Sequence, residues 1–242
     1  MTCLEKAVSI SKTDALIIVD VQKDFLLGGS LPVPSGDEVI PILNDYISLF
    51  KTSKAKVFAT RDWHPANHVS FKEFGGPWHP HCVQETEGAD FHPDLKLPEN
   101  VTVISKAMDP KLESYSGFNG TALADELRKG EVSRIFVGGL ATDYCVKNTV
   151  LDGLVSGFDV VLLSDATRGI NVKADDSEKA ISAMHAGGAK IATLEDFAEP
   201  TDIPIDEPET ESTAEKPLTK AEMKKKSRLR SRGPYRKTKV ER

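Results

Sequence analysis

Short apolar runs rich in β-branched side chains recur along most of the chain, with helical spacings between them. Asp14-Ala-Leu-Ile-Ile-Val-Asp20 is apolar between its two carboxylates and reads as a strand covered on both faces. Val39, Ile42, Leu43, Tyr46, Ile47 and Phe50 then repeat at helical steps. Ala55-Lys-Val-Phe-Ala-Thr60 is strand again. A stretch rich in His, Pro and Gly follows as far as Pro98, and then a strand, Val101-Thr-Val-Ile-Ser105. A short helix with Leu123 and Leu127 stops at Gly130. Arg134-Ile-Phe-Val-Gly138 is a strand, and Val146, Val150, Leu151 and Leu154 mark a helix stopped by Gly157. Asp159-Val-Val-Leu-Leu163, a helix with Ala180, Ile181 and Met184, and Lys190-Ile-Ala-Thr-Leu194 complete the pattern. Strands alternating with helices predict an α/β fold: a doubly wound, mostly parallel six-stranded sheet with helices on both faces.

Such sheets bind ligands beyond the carboxyl ends of their strands. Asp20 ends the first strand, Arg61-Asp-Trp-His64 follows the second, Lys106 the third and Cys145 the fourth. Singly, each has a plain reading as a turn residue, a solvated lysine or a small buried hydrophobe. Four on one rim point to a shared site. Thr142 is the expected N-cap of the fourth strand's helix, which puts Cys145 in the first turn. There the free N–H groups and helix dipole favour a thiolate. Asp62 and His64 are two apart, so in extended chain both side chains point the same way. His68, His79 and His81 follow in a loop stiffened by Pro65, Pro77 and Pro80. One carboxylate and two imidazoles suit zinc, iron or manganese, with positions left for water or substrate. The same histidines could equally be solvated or capping groups. The Cys pairs of a structural zinc site are missing.

The length of 242 residues suits one α/β domain plus extra chain. No apolar run reaches membrane-spanning length, and Met1-Thr-Cys-Leu-Glu-Lys6 lacks a signal-peptide core. Cys3, Cys82 and Cys145 form no disulfide framework, which argues for reduced thiols and a cytoplasmic setting. The formal charge of −6 hides an asymmetry. From Lys220 onward there are 11 Lys/Arg against 2 Asp/Glu, which leaves −15 on the rest. Beyond Glu199 the chain turns acidic and proline-punctuated, then basic over Lys224-Lys-Lys-Ser-Arg-Leu-Arg-Ser-Arg232. Residues 1–198 are thus expected to form the domain and 199–242 a disordered tail. The basic run fits nucleic acid, an anionic surface or a nuclear import receptor, and equally a solvated tail drawn to its own acidic neighbours.

Asp20-Val-Gln-Lys-Asp-Phe25, Arg61-Asp-Trp-His-Pro65, Trp78-His-Pro-His-Cys82, Tyr115-Ser-Gly-Phe118 and Gly139-Leu-Ala-Thr-Asp-Tyr-Cys145 together resemble the nicotinamidase (pyrazinamidase) branch of the isochorismatase-like cysteine hydrolases. The resemblance covers nearly all of the first 198 residues. It implies a metal-dependent amidohydrolase that converts nicotinamide to nicotinic acid and ammonia in NAD salvage. Cys145 would be the nucleophile, Asp20 the acid/base and Lys106 the cation of a triad. The N–H groups of Ala141 and Cys145 would form the oxyanion hole, beside a cis peptide between Leu140 and Ala141. Asp62, His64 and His81 match the ligands of one divalent ion, most often zinc, with His68 a further ligand or outer contact. Phe25 and Trp78 match the walls around the pyridine ring. His79 departs from the pattern, where Pro is expected. Two other readings remain: a metal-independent amidase of the same superfamily, and an interaction protein working through the basic tail. A homo-oligomer is compatible with either enzyme.

Overall fold

The computed structural model describes residues 8–197. Cys3 and the acidic-then-basic segment from 199 to 242 lie outside them. Among the described residues, one sheet carries β1 (Asp14–Val19), β2 (Lys56–Asp62), β3 (Thr102–Lys106), β4 (Arg134–Leu140), β5 (Asp159–Arg168) and β6 (Lys190–Ala192). The strand order is β3-β2-β1-β4-β5-β6 and every pairing is parallel. The expected doubly wound sheet is therefore present, and it is parallel throughout.

Helix α1 (Val39–Thr52) covers one face, burying Val39, Ile40, Leu43, Tyr46, Ile47 and Phe50. Ile40 takes the deep position expected of Ile42, which is only partly buried. Helices α2 (Leu123–Lys129), α3 (Lys147–Val155) and α4 (Asp176–Ala186) cover the other face with Leu123, Leu127, Val150 and Met184. Phe197 closes the first face against Tyr46 and Phe136, with ring centroids 5.3 and 5.8 Å apart. No described helix is long and apolar enough to cross a membrane.

Three strands outrun the apolar pattern because their last residues are polar but paired. β2 continues through Arg61 to Asp62, and β3 ends on Lys106 instead of before it. Asp62 and Lys106 are register partners, so their side chains leave the sheet on the same side. β5 runs past Leu163, where Asp165 accepts from the Tyr46 hydroxyl at 2.9 Å and the Leu194 N–H at 2.8 Å. The chain winds outward in both directions from the adjacent pair β1 and β4, whose carboxyl ends flank the crevice.

Val19 pairs with Thr60 on one side and Gly139 on the other. Gly139 has φ +121°, and a Cβ there would collide with the Val19 carbonyl oxygen. Gly139→Ala should therefore cost roughly 2–5 kcal/mol of stability, combining backbone strain with overpacking. Gly157→Ala, also at positive φ but facing open space, should cost only about 1–2 kcal/mol. Urea midpoints of the two variants check this; equal losses would refute the close-approach argument.

Candidate active site

Lys106 is 1 % exposed, and its ammonium sits among three buried acids, Asp20, Asp62 and Cys145. Nζ lies 3.0 Å from Asp20 Oδ2, donates to Asp62 Oδ1, and donates to Cys145 Sγ at 3.4 Å. The Ser114 carbonyl accepts from it at 3.3 Å. Asp62, Ser114 and Cys145 account for the three N–H donors of the ammonium. Asp20 Oδ2 is left with an ion contact but no aligned hydrogen bond. Asp20 Oδ1, by contrast, accepts from the Thr60 hydroxyl at 2.7 Å. One carboxylate oxygen is thus fixed and the other is free to take a proton.

The turn that presents Cys145 departs from expectation. After a cis peptide at Leu140–Ala141, residues Thr142–Val146 form a single π-helical turn ahead of α3. The residue before that turn is Ala141, and Thr142 caps nothing. Its hydroxyl donates to Thr167 Oγ1 at 2.8 Å, because the Thr167 proton is already given to the Gly139 carbonyl at 2.9 Å. The surroundings also work against the expected thiolate. Burial pushes the Cys145 thiol well up; Lys106 pulls it back, but Asp20 and Asp62 oppose ionisation. Asp20 is likewise raised, first by burial, with Lys106 opposing and Asp62 reinforcing. Lys106 stays charged, since its two carboxylates outweigh its burial.

Beside this cluster, Asp62, His64 and His81 bring one ligand atom each within 4.8 Å of one another. Asp62 Oδ2 is 3.6 Å from His64 Nε2. Burial opposes ionisation of Asp62, yet Lys106 and the neighbouring imidazoles hold its carboxyl far below the usual range. Both ring nitrogens of His64 are buried without a hydrogen-bond partner, which an apolar or merely structural histidine would not sustain. His81 Nδ1 donates to the His79 carbonyl at 2.7 Å, leaving Nε2 with a free lone pair. Burial holds His81 below its ordinary value and so neutral. A carboxylate, the free Nε2 of His81 and the unsatisfied nitrogens of His64 fit a divalent cation. The second acidic cluster, Asp20, Asp62 and Cys145, is already served by the Lys106 ammonium.

His68 does not join the ligand set. Its Nδ1 accepts from the Ser70 N–H at 3.2 Å and faces the Ser70 hydroxyl at 2.7 Å; its Nε2 donates to the Leu112 carbonyl at 3.0 Å. With both nitrogens engaged, it packs its ring against His64, centroids 4.3 Å apart. His79 sits on the outside, where its Nε2 meets Lys72 Nζ at 2.9 Å.

An isochorismatase domain matches residues 14–196. The chain belongs to the isochorismatase family. Escherichia coli nicotinamidase is 42 % identical over 206 residues, covering 76 % of this chain and 97 % of that protein. The crystal structure of Pyrococcus horikoshii pyrazinamidase in complex with zinc is similar at 53 % identity and a TM-score of 0.72. It covers 75 % of this chain and 99 % of its own. An L. infantum structure in complex with nicotinate shares 35 % identity at a TM-score of 0.73, over 80 % of this chain and 99 % of its own.

In this isochorismatase-family site the two aromatic positions have different surroundings. Phe25 is buried against His81, centroids 5.4 Å apart. Trp78 is half-buried; its Nε1 donates to the Tyr115 hydroxyl at 3.0 Å, and its ring meets Tyr144 edge-on at 5.1 Å. Tyr115 and Tyr144 fall within the resembling motifs, which imply no role for them. Thr60 also escaped notice, although it shares a strand face with Asp62, two residues on, and that period could have found it. Gln22, two residues past Asp20, grips Asp62 by its backbone, which no sequence spacing reveals.

Proposed function

We propose that this isochorismatase-family protein hydrolyses nicotinamide to nicotinic acid and ammonia, a step that returns nicotinamide to NAD synthesis. One observation carries the reading: the Lys106 ammonium joins Asp20 and Cys145 on one side and the Asp62–His64–His81 set on the other. The similarity to Escherichia coli nicotinamidase supports the substrate class. A metal-independent amidase would have no use for the two orphaned nitrogens of His64.

The chemistry follows from the free oxygen on Asp20. Asp20 Oδ2 takes the Cys145 proton as sulfur adds to the carboxamide carbon. The N–H groups of Ala141 and Cys145 hold the resulting oxyanion. Asp20 then returns the proton to the amide nitrogen, the C–N bond breaks, and ammonia leaves a thioester. Water gives a proton to Asp20 as its oxygen attacks the thioester. The C–S bond breaks, nicotinic acid is released, and Cys145 regains its proton from Asp20. Asp62, His64 and His81 would hold a divalent cation, zinc in this reading, which would supply a Lewis-acidic anchor for the pyridine nitrogen. Phe25 and Trp78 enclose the ring. A reducing cytoplasmic setting keeps the thiol of Cys145 competent.

We also propose that catalysis is complete within residues 1–198. Phe197 already seals the core against Tyr46 and Phe136. The basic run Lys224–Arg232, outside the described residues, would serve an anionic partner such as nucleic acid, or an import receptor leading to the nucleus.

Cys145→Ala should abolish ammonia release from nicotinamide while leaving fold and zinc content unchanged. Asp20→Asn should be comparably inactive, because an amide can neither take nor return the proton. Substantial turnover in the alanine variant would refute the nucleophile.

Truncation after residue 198 should leave kcat/KM on nicotinamide within about twofold. An insoluble or inactive product would mean that the tail is structural. Any nucleic-acid binding by the full chain should fall steeply with salt.

Nicotinamide and benzamide, which differ at one ring atom, test the metal's role. A hydrophobic pocket separates such near-isosteres by only about 10–200-fold, whereas a site built to engage a polar group can reject its absence by about 10⁴-fold. The expected kcat/KM ratio is large in wild type and collapses in His64→Ala. A ratio near unity in wild type would remove the pyridine-anchoring role.

A further inference from the structure

The turn that leaves β1 grips the ligand-bearing segments by their backbones. Gln22 is fully buried. Its Nε2 donates to the carbonyls of Asp62 at 2.8 Å and Ala89 at 2.9 Å, and its Oε1 accepts the Asp62 N–H at 2.8 Å. One side chain therefore takes both backbone polar groups of Asp62. Two positions on, Asp24 Oδ2 accepts the N–H of Cys82, the residue after His81, at 2.7 Å. Cys82 stands at φ +46°, a left-handed conformation that a non-glycine residue adopts only under constraint. The other Asp24 oxygen accepts the Ser30 N–H at 3.2 Å, and Gly88 packs so close that a Cβ there would strike the Asp24 carboxylate.

We infer that Gln22 and Asp24 are positioning residues for the Asp62–His64–His81 ligand set, one fixing the Asp62 backbone and the other the backbone beside His81. This rests on the metal-binding reading proposed above. Neither side chain hydrogen-bonds the Asp62 carboxylate or an imidazole, so both act through main-chain placement. They differ in reach. Asp62 is the register partner of Lys106, so displacing its backbone disturbs the ammonium as well. Asp24 touches only the His81 side.

The test uses the full chain stripped of metal and titrated with Zn²⁺ alone, against a competing chelator at fixed pH. Melting of the metal-free protein and the rate of Cys145 alkylation by iodoacetamide are followed in parallel. Asp24→Ala should weaken zinc binding about 10–100-fold, the range for residues that support metal ligands, and leave the alkylation rate within about twofold. Asp24→Asn keeps an acceptor for the Cys82 N–H and should recover most of the affinity. Gln22→Glu keeps the acceptor for the Asp62 N–H but sets an oxygen against two carbonyls. It should weaken zinc binding similarly and also change the alkylation rate. Unchanged zinc affinity in Asp24→Ala and Gln22→Glu, whatever the melting temperatures, would overturn the inference. Failure of the wild-type protein to bind zinc would instead overturn the metal reading itself, and this inference with it.

Discussion

A single ammonium compensates three buried acids, and the rest of the site depends on that shortage. Lys106 contacts Asp20, Asp62 and Cys145 from a position 1 % exposed. Removing one partner of such a buried pair typically costs about 3–5 kcal/mol, because the remaining charge stays out of water. Here one cation serves several partners, so its loss would strand two carboxylates. The cluster cannot hold two carboxylates and a thiolate at once without a second uncompensated charge. It can, however, exchange a thiol and a carboxylate for a thiolate and a carboxylic acid at constant net charge. Moving the proton from Cys145 to Asp20 Oδ2 does that. Both groups are raised, first by burial, and they are the two between which that proton can pass.

The backbone has to bring four side chains together, that of Lys106 among them, from strands of fixed spacing. β1 and β4 lie side by side at the centre, with β2 and β3 beyond β1, so Asp20, Asp62, Lys106 and Cys145 come from four consecutive strands of the sheet. Register alone aligns Asp62 with Lys106. The other corrections are made by local strain. Asp20, Cys82 and Ala107 are non-glycine residues at φ +51°, +46° and +53°, and each is or adjoins a site residue. Such conformations cost about 1–2 kcal/mol apiece, and the hydrogen bonds of Thr60, Gln22 and Asp24 hold the surrounding chain in place.

The fold was legible because its strands are buried on both faces and so read as unbroken apolar runs. Strand ends were less so. Asp62, Lys106 and Thr167 are polar residues that the sheet satisfies internally, and an apolar pattern stops short of them. The four rim residues could be read from strand order alone, since each lies at the carboxyl end of its strand or within a few residues of it. Thr142 and Cys145 depart from the sequence pattern for a common reason, that burial is invisible in a sequence. Thr142 resembled a cap until Thr167 claimed its hydroxyl, and Cys145 resembled a thiolate until two carboxylates appeared beside it. The fate of His68 was equally hidden, because Ser70 and the Leu112 carbonyl are what fill its nitrogens.

Asp62 gives the site its economy of parts. One carboxylate oxygen faces Lys106 and the other faces His64. On the proposed reading, a cation bound among Asp62, His64 and His81 and the ammonium beside the thiol would be held apart by a single rigid group. A substrate anchored at its ring nitrogen, as proposed, would present its carboxamide at a set distance, and Cys145 lies on the Lys106 side of that same carboxylate. Proximity of this kind lowers a barrier only if both anchors keep their spacing to a fraction of an ångström. A strand terminus alone would fray. Asp62 is instead paired to Lys106 through the sheet and clasped at both backbone polar groups by a fully buried glutamine. On that reading the rigidity of the reaction distance would originate in main-chain hydrogen bonds behind the site, outside the residues that touch the substrate.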